Sequence, residues 1–444
     1  MVENFQSLAN HIEARLPAGL AYTATVSGEQ SDFVRFNRAR VRQPGEVRQA
    51  GLSLRLIDGR RQTAGDITLT GLPEADQARV DALIDRLAAR LPLLPEDPHL
   101  LINTSPVNSH HEGANTLPDA TTVVDAVIES AQSQGKDPDL VGIYSQGNIY
   151  KGYASSTGQR NWFSTWSYNL DWCLVAGGDK AVKSGLAGFD FDRASLQSRM
   201  AEAGRQLAIF SRPARTIEPG RYRVFLSPAA VGEILGLLNW GAFSARSVAT
   251  RTSPLMRLVE GKERLHESVH LCENTAGGVA AAFQEDGFVK PDRVALWSAG
   301  QHAGTLVSPR SAAEYGQSTN GAGAGEQAVS LDLAAGELPT AEALSRLGTG
   351  VYIGNLWYLN YSDRNAARMT GMTRFATFWV EDGEIVAPLN VMRFDETVGN
   401  ILGANLEGLT AERDLRLSSD TYFARSTDSA RLPGALVRDF TFTL

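Results

Sequence analysis

Residues 350–388, GVYIGNLWYLNYSDRNAARMTGMTRFATFWVEDGEIVAP, decide the reading of the fold. Arg374–Glu381 and Glu384–Pro388 are rich in aromatic and β-branched residues, and Asp382-Gly383 between them is a two-residue hairpin signal, because both turn positions need positive φ. Short strand-like runs separated by turns continue to Leu436–Phe442, the pattern of a β-barrel or sandwich. Upstream, Tyr222–Leu226 reads as a strand and Pro228–Leu238 as a helix. Before these, Arg212–Gly220 is punctuated by Pro213, Pro219 and Gly220 and marks a boundary between two domains, 1–211 and 220–444.

The N-terminal part mixes both periodicities. Leu20–Val26 and Ser31–Val41 read as strands separated by a turn at Ser27-Gly28-Glu29, and Gln49–Ile57 and Arg61–Leu69 as a hairpin turned at Asp58-Gly59. Val80, Leu83, Ile84 and Leu87 share the i, i+3, i+4, i+7 spacing of one helix face, and Val124, Val127, Ile128 and Ala131 repeat it. A Pro-rich crossover, Pro92–Pro118, joins those helices. Leu140–Ser145, Ile149–Ser155, Gln159–Leu170 and Asp171–Val175 resume strand character, and Asp192–Phe210 closes the region as a helix. The fold class expected is α+β: an N-terminal α/β domain with a mainly antiparallel sheet, then a C-terminal β-barrel-like domain.

At 444 residues, 43% apolar and 21% charged, the chain has the composition of an ordinary folded protein and a length that favours two cores. Its net charge of −8 weighs against a nucleic-acid partner, and the basic run Arg35–Arg48 alternates with apolar residues as one solvated sheet face would. Cys173 and Cys272 stand far apart without CxxC spacing, which fits a reducing, cytoplasmic setting rather than a disulfide framework. Residues 1–17 read as an amphipathic helix, no apolar run is long enough to span a bilayer, and no membrane partner is expected.

Three segments invite a chemical reading. His266-Glu267-Ser268-Val269-His270 matches HExxH, which on a helix presents two imidazoles to zinc beside a carboxylate base. A third ligand at metzincin spacing is missing, since Ala276 stands there. The segment reads equally as a strand, which would turn Glu267 away from both histidines. His110-His111-Glu112 lies in the crossover and reads as solvated loop. Asn320–Glu326 is glycine-rich but lacks the Lys-Ser/Thr pair of a phosphate loop, and reads as a flexible surface loop.

The stretch Gly350–Ser362, followed by Thr370-Gly371, Phe378–Ile385 and Ala387-Pro388, resembles the C-terminal signature of the TldD/PmbA family of peptidases. Arg60-Arg61, the aromatic run Tyr150–Phe163 and Leu226-Ser227-Pro228 extend the resemblance over nearly the whole chain. It implies an α/β domain and a barrel-like domain assembled as dimers around a cavity that admits unfolded peptides. TldD-like members bind a metal through an HExxxH helix and a downstream cysteine. Here the matching helix, Ala229–Trp240, has no histidine, and Leu432-Pro433-Gly434-Ala435-Leu436 lacks the cysteine.

The resemblance is therefore to the PmbA-like (TldE-like) branch, with no catalytic or metal-binding residue and no cofactor expected on this chain. It implies a non-catalytic subunit of a peptidase acting on unfolded or leader peptides, partnered by an HExxxH-bearing TldD-like subunit or a second copy of itself. The alternatives are a zinc peptidase using His266, Glu267 and His270, and a non-proteolytic peptide-binding homodimer. Asn360, Ser362 and Arg374, polar residues of the signature, are the expected peptide contacts.

Overall fold

The computed structural model describes residues 1–135, 138–176 and 180–443. Its N-terminal half is one sheet built from β1 (Ala21–Asn37), β2 (Arg40–Asp58), β3 (Arg61–Leu69), β4 (Ser109–Glu112), β5 (Asp139–Ser155), β6 (Arg160–Val175) and β7 (Ala181–Gly188). The order is β3-β2-β1-β5-β6-β4, with β7 also pairing with β6, and every pairing is antiparallel except that of β4. Helices α1 (Val2–Arg15), α2 (Pro73–Arg90), α3 (Ala120–Gln132) and α4 (Arg193–Ile209) all pack on one face.

Period-two alternation explains what that sheet presents. Tyr22, Ala24, Val26, Tyr144, Leu170, Trp172 and Leu174 point at the helices and are buried. Many of the intervening positions are polar, among them Glu29, Ser31, Ser145, Asn161, Ser167 and Asn169, and these are buried too, while Tyr153 on the same face packs with Ala281 and Phe283. The C-terminal half covers that second face. Arg425 crosses to it and donates to Gly147 O (3.2 Å) and to Ser167 O and Oγ (both 2.9 Å).

The C-terminal half contains β8 (Gly220–Leu226), β9 (Leu271–Asn274), β10 (Arg293–Ser298), β11 (Gln301–His302), β12 (Ser330–Leu333), β13 (Gly350–Asp363), β14 (Arg368–Glu381), β15 (Glu384–Pro388), β16 (Arg393–Thr397), β17 (Leu406–Leu417) and β18 (Ser429–Phe442). The path β8-β13-β14-β16-β18 returns to β8 through the β18–β8 pairing, so five strands close a ring. The barrel-like expectation is met. Val224, Leu226, Val351, Ile353, Phe394 and Phe440 belong to its core, and none is more than 0% exposed.

Helix α5 (Pro228–Leu238) follows β8 directly. Ser227 caps it by accepting from Ala230 N–H (3.2 Å), Pro228 occupies the first turn where its missing donor is harmless, and Gly241 (φ +98°) stands just beyond its end. The Ser227 hydroxyl also donates to Gly354 O at 2.6 Å, locking the start of the helix to β13. Ala230, Ile234, Leu235 and Leu238 are buried in the barrel core. A large side chain among them contributes roughly 1.5–3 kcal/mol by leaving water.

Several local expectations are corrected. Ser27-Gly28-Glu29 is no turn: Gly28 lies inside β1, paired with Ala50 on one side and Tyr150 on the other. A Cβ there would meet Gln49 O and the Tyr150 hydroxyl at 2.5 Å, so the glycine serves close packing. The chain turns instead at Arg38-Ala39, both at positive φ (+52° and +50°).

The next hairpin loop is Gly59-Arg60 rather than Asp58-Gly59, because Asp58 pairs with Arg61. The four segments between Leu140 and Val175 merge into two long strands, and β7 is additional. His110-His111-Glu112 forms the exposed edge strand β4 rather than loop. Within Asn320–Glu326 the tip is exposed, but Ala322 and Glu326 are buried.

Candidate functional site

A polar recess of about 100 Å³ opens where β6 and β7 meet α5 and β17, and Asn169, Asp171, Lys183, Glu233, Asp414 and Arg416 contribute to its lining. Asp171 and Cys173 share the polar face of β6, and their β7 partners are Gly185 and Lys183. The small residue opposite Asp171 leaves the depression, and Lys183 Nζ stands 3.7 Å from Asp171 Oδ2. On the opposite wall α5 contributes Glu233, which with Gly236 stands on the exposed face left over once the helix's apolar residues are buried.

Charge is distributed unevenly. Arg199 of α4 holds Asp414 by two bonds, Nη2–Oδ1 at 2.7 Å and Nη1–Oδ2 at 3.1 Å. Glu233 opens to the mouth of the recess, yet the walls desolvate its carboxyl and push it above the ordinary glutamate range, with Lys183 and Arg416 opposing and Asp171 adding. Burial likewise pushes the Cys173 thiol up; Asp171 adds to that, while Lys183 and Arg374 oppose. Arg416 is half-buried and pairs with Ala430 in the β17–β18 ladder, and its side chain is in no ion pair or hydrogen bond among the described residues.

A larger cavity, about 330 Å³, lies between α1, α2 and strands β1, β2, β3 and β5. Its acids are committed elsewhere. Glu29 accepts from Ser31 and Gln49, and Asp76 accepts from the backbone N–H groups of Thr70 and Gly71.

The expected peptide contacts separate in space. Arg374 lies with its guanidinium 4.4 Å from the centroid of the Trp357 ring, in the neighbourhood of Cys173. Asn360 pairs with Thr370, and it and Ser362 lie exposed toward the far end of the β13–β14 hairpin. There Asn360 Oδ1 accepts from Tyr361 N–H at 2.8 Å. Register shifts between Asn355 and Asn360 leave Trp357 and Tyr358 exposed, Tyr358 at φ +57°.

His266–His270 forms neither helix nor strand. His266 Nδ1 lies 2.8 Å from the Ser268 hydroxyl, and His270 Nδ1 accepts from Ala299 N–H at 3.2 Å. The single helical face that HExxH needs is not formed. Among the described residues no group of three His, Cys, Asp or Glu side chains is placed to hold a metal ion.

The α5 position also fails as a metal site on its own chemistry. A Cβ on Gly232 would sit 3.2 Å from Leu432 Cδ1 and 3.6 Å from Arg416 Cδ and Nε. The helix and the Pro-Gly segment thus meet as glycine, leucine and an arginine stem. Glu233 is the one anionic donor α5 offers, and two cations flank it. Such a set repels a divalent ion rather than binding it.

Sequence reading had singled out none of Asp171, Lys183, Glu233 or Arg416. They stand on four elements spread over 246 positions, so no local motif could join them.

Residues 219–444, just over half of the chain, match the family described as the PmbA/TldA metallopeptidase C-terminal domain. No curated protein matches the sequence. Among solved structures, TldE from Thermococcus kodakarensis superposes with a TM-score of 0.77 at 14% identity, covering 99% of this chain and 100% of that one. A candidate modulator of a DNA gyrase from Thermotoga maritima gives 0.75 at 14% identity over 99% of both chains. Another from Bacteroides thetaiotaomicron gives 0.70 at 14% identity, over 99% of this chain and 98% of that one. At such identities the likeness is one of fold, and the match of the family model over half of the sequence establishes that this chain belongs to the TldD/PmbA family.

Proposed function

We propose that this protein is the non-catalytic subunit of a TldD/TldE-type peptidase that acts on unfolded or leader peptides. The observation that carries the reading is α5, where Gly232, Leu432 and the stem of Arg416 pack together at the place expected to hold the metal ligands of TldD-like members. In this reading residues 1–211 and 220–444 are its two units, and a partner bearing the HExxxH helix supplies the metal and the activated water. The recess beside α5 and the Trp357–Arg374 stack then serve to hold the peptide, with Arg374 nearest the recess and Asn360 and Ser362 contacting it farther out.

Extended peptides pair with sheet edges through their backbones, which suits a partner of varied sequence. A zinc peptidase built on His266, Glu267 and His270 draws no support from an irregular loop. Among the described residues no helix is long and apolar enough to cross a membrane.

Co-expression with an HExxxH-bearing homologue tests the reading. The expected result is a stable complex that cleaves an unfolded peptide, whereas this chain alone does not. A chain that cleaves alone, or two chains that never associate, would overturn it.

A further inference from the structure

Across the second face of the N-terminal sheet, Thr68, Gly51, Ser27, Lys151 and Phe163 stand opposite one another on β3, β2, β1, β5 and β6. Gly51 and Ser27 put almost no side chain above the sheet, so a trough runs inward from the exposed Thr68 on the edge strand. Lys151 stands three strands in, roughly 14 Å from that edge. Phe423–Thr427 and Ala281 of the C-terminal half roof the trough and leave a cavity of about 460 Å³. Ile149, Phe163, Ala281 and Phe423 give it apolar walls, and Phe423 is itself 86% exposed.

One charge in this lining is left over. Glu29 accepts from Ser31 Oγ (2.8 Å) and Gln49 Nε2 (2.7 Å), and the Arg425 guanidinium is engaged with Gly147, Ser167 and Ser31. Lys151 is partly buried, and its amine has no hydrogen-bond partner and no carboxylate within 4.0 Å among the described residues. Lys290, outside the lining, is held by Glu273 at 3.4 Å, and Asp428 neighbours that pair. Burial pulls the Lys151 ammonium below the ordinary lysine range, with Glu285, also outside the lining, opposing from beyond ion-pair distance and Lys290 adding. A carboxylate brought into the cavity restores that charge by a charge-assisted bond, and the apolar walls receive whatever group carries it.

We propose that this cavity binds a carboxylate joined to an apolar group, with Lys151 pairing to the carboxylate and Phe163, Ala281 and Phe423 packing on the apolar part. The source that fits the peptide-handling part of the functional reading, on which this rests, is the C-terminal residue of a peptide. A free aromatic or aliphatic acid carries the same chemistry.

The test is fluorescence anisotropy on the full-length chain with a short peptide labelled at its N-terminus and ending in Phe, as the free acid and as the amide. The free acid is expected to bind on the order of tenfold more tightly, as loss of a charge-assisted pair implies. Displacement by the unlabelled peptide acid but not by hydrocinnamate identifies the peptide end as the source; displacement by hydrocinnamate as well assigns the site to small acids in general. Lys151→Met is expected to erase the preference for the acid, Lys151→Arg to keep part of it, and Lys262→Ala, an exposed lysine, to leave it unchanged. Glu285→Gln removes the competing acid and is expected to tighten binding. Equal binding of acid and amide, no binding of either, a preference that survives Lys151→Met, or one abolished by Glu285→Gln would overturn the proposal. Complex formation between Lys151→Met and the HExxxH-bearing homologue, followed by size-exclusion chromatography, tests the subunit reading separately, because the cavity is not needed for it.

Discussion

Gly232 and Leu432 meet so closely that a Cβ on the glycine would stand 3.2 Å from Leu432 Cδ1. Helix α5 and strand β18 are thereby pressed together where TldD-like relatives are expected to carry ligands. Gly236, one turn on, has nothing within 4 Å of its missing Cβ. Ala outranks Gly in a helix interior by roughly 0.8–1 kcal/mol, so Gly236→Ala is expected to stabilise by about that amount. Gly232→Ala gains the same propensity but must displace Leu432 or the Arg416 stem, and overpacking of this kind costs about 1–3 kcal/mol. Urea unfolding should therefore show a higher midpoint for Gly236→Ala and an unchanged or lower one for Gly232→Ala.

Glu326 gathers two helix starts. It accepts from Ser244 Oγ (2.5 Å) and Arg246 N–H (2.9 Å), and from Ser308 N–H (2.8 Å) and Oγ (2.9 Å); Ser244 and Ser308 are themselves N-caps. Burial pushes its carboxyl up, but the Ser244 hydroxyl and the other donors outweigh that and hold it below the ordinary glutamate range. A depressed folded pKa means stability that is present above the unfolded value and is lost as pH falls through the folded one. Glu326→Gln is expected to cost roughly 1–3 kcal/mol near neutrality. Denaturation at stepped pH should show the gap closing below about pH 4.

Arg55 of β2 forms an ion pair with Asp286 of the segment that crosses from the C-terminal half, and both are mostly buried. Burial raises the Asp286 carboxyl, and Arg55 opposes the shift. Arg55→Ala leaves a buried charge without its partner, for about 3–5 kcal/mol. Because a raised folded pKa favours the folded state below the unfolded value, protonation of Asp286 relieves the variant in acid. Unfolding at pH 5 and pH 8 should give the smaller loss at pH 5.

Arg374 rests on Trp357, near Cys173 and the recess. In the complex with an active partner, Arg374→Ala is expected to raise KM for an unfolded peptide on the order of tenfold, the loss of one charge-assisted contact. Asn360→Ala and Ser362→Ala, toward the outer end of the hairpin, should raise it less. Steady-state kinetics on all three variants checks the ordering.

Much of the framework was legible because local physics agreed with the fold. Pro228–Leu238 has its cap, its first-turn proline and its apolar face in sequence, and the structure gives the same bounds. Asp382-Gly383 turns with both residues at positive φ, as a two-residue hairpin demands. Gly28 misled because a glycine that admits Tyr150 looks like one that makes a turn. Arg38-Ala39 turns without any residue that favours positive φ. β7, Ala181-Val-Lys-Ser-Gly-Leu-Ala-Gly, has few β-formers and owes its strand to pairing with β6. The recess was illegible because long-range pairing alone brings Asp171, Lys183, Glu233 and Arg416 together.

Elemental analysis of the protein purified alone, beside His266→Ala and His270→Ala, shows whether this chain supplies a catalytic metal. Metal far below one ion per chain is expected in all three, with the metal of an active complex residing on the HExxxH-bearing partner. One ion per wild-type chain, lost in both histidine variants and accompanied by peptidase activity, would contradict it.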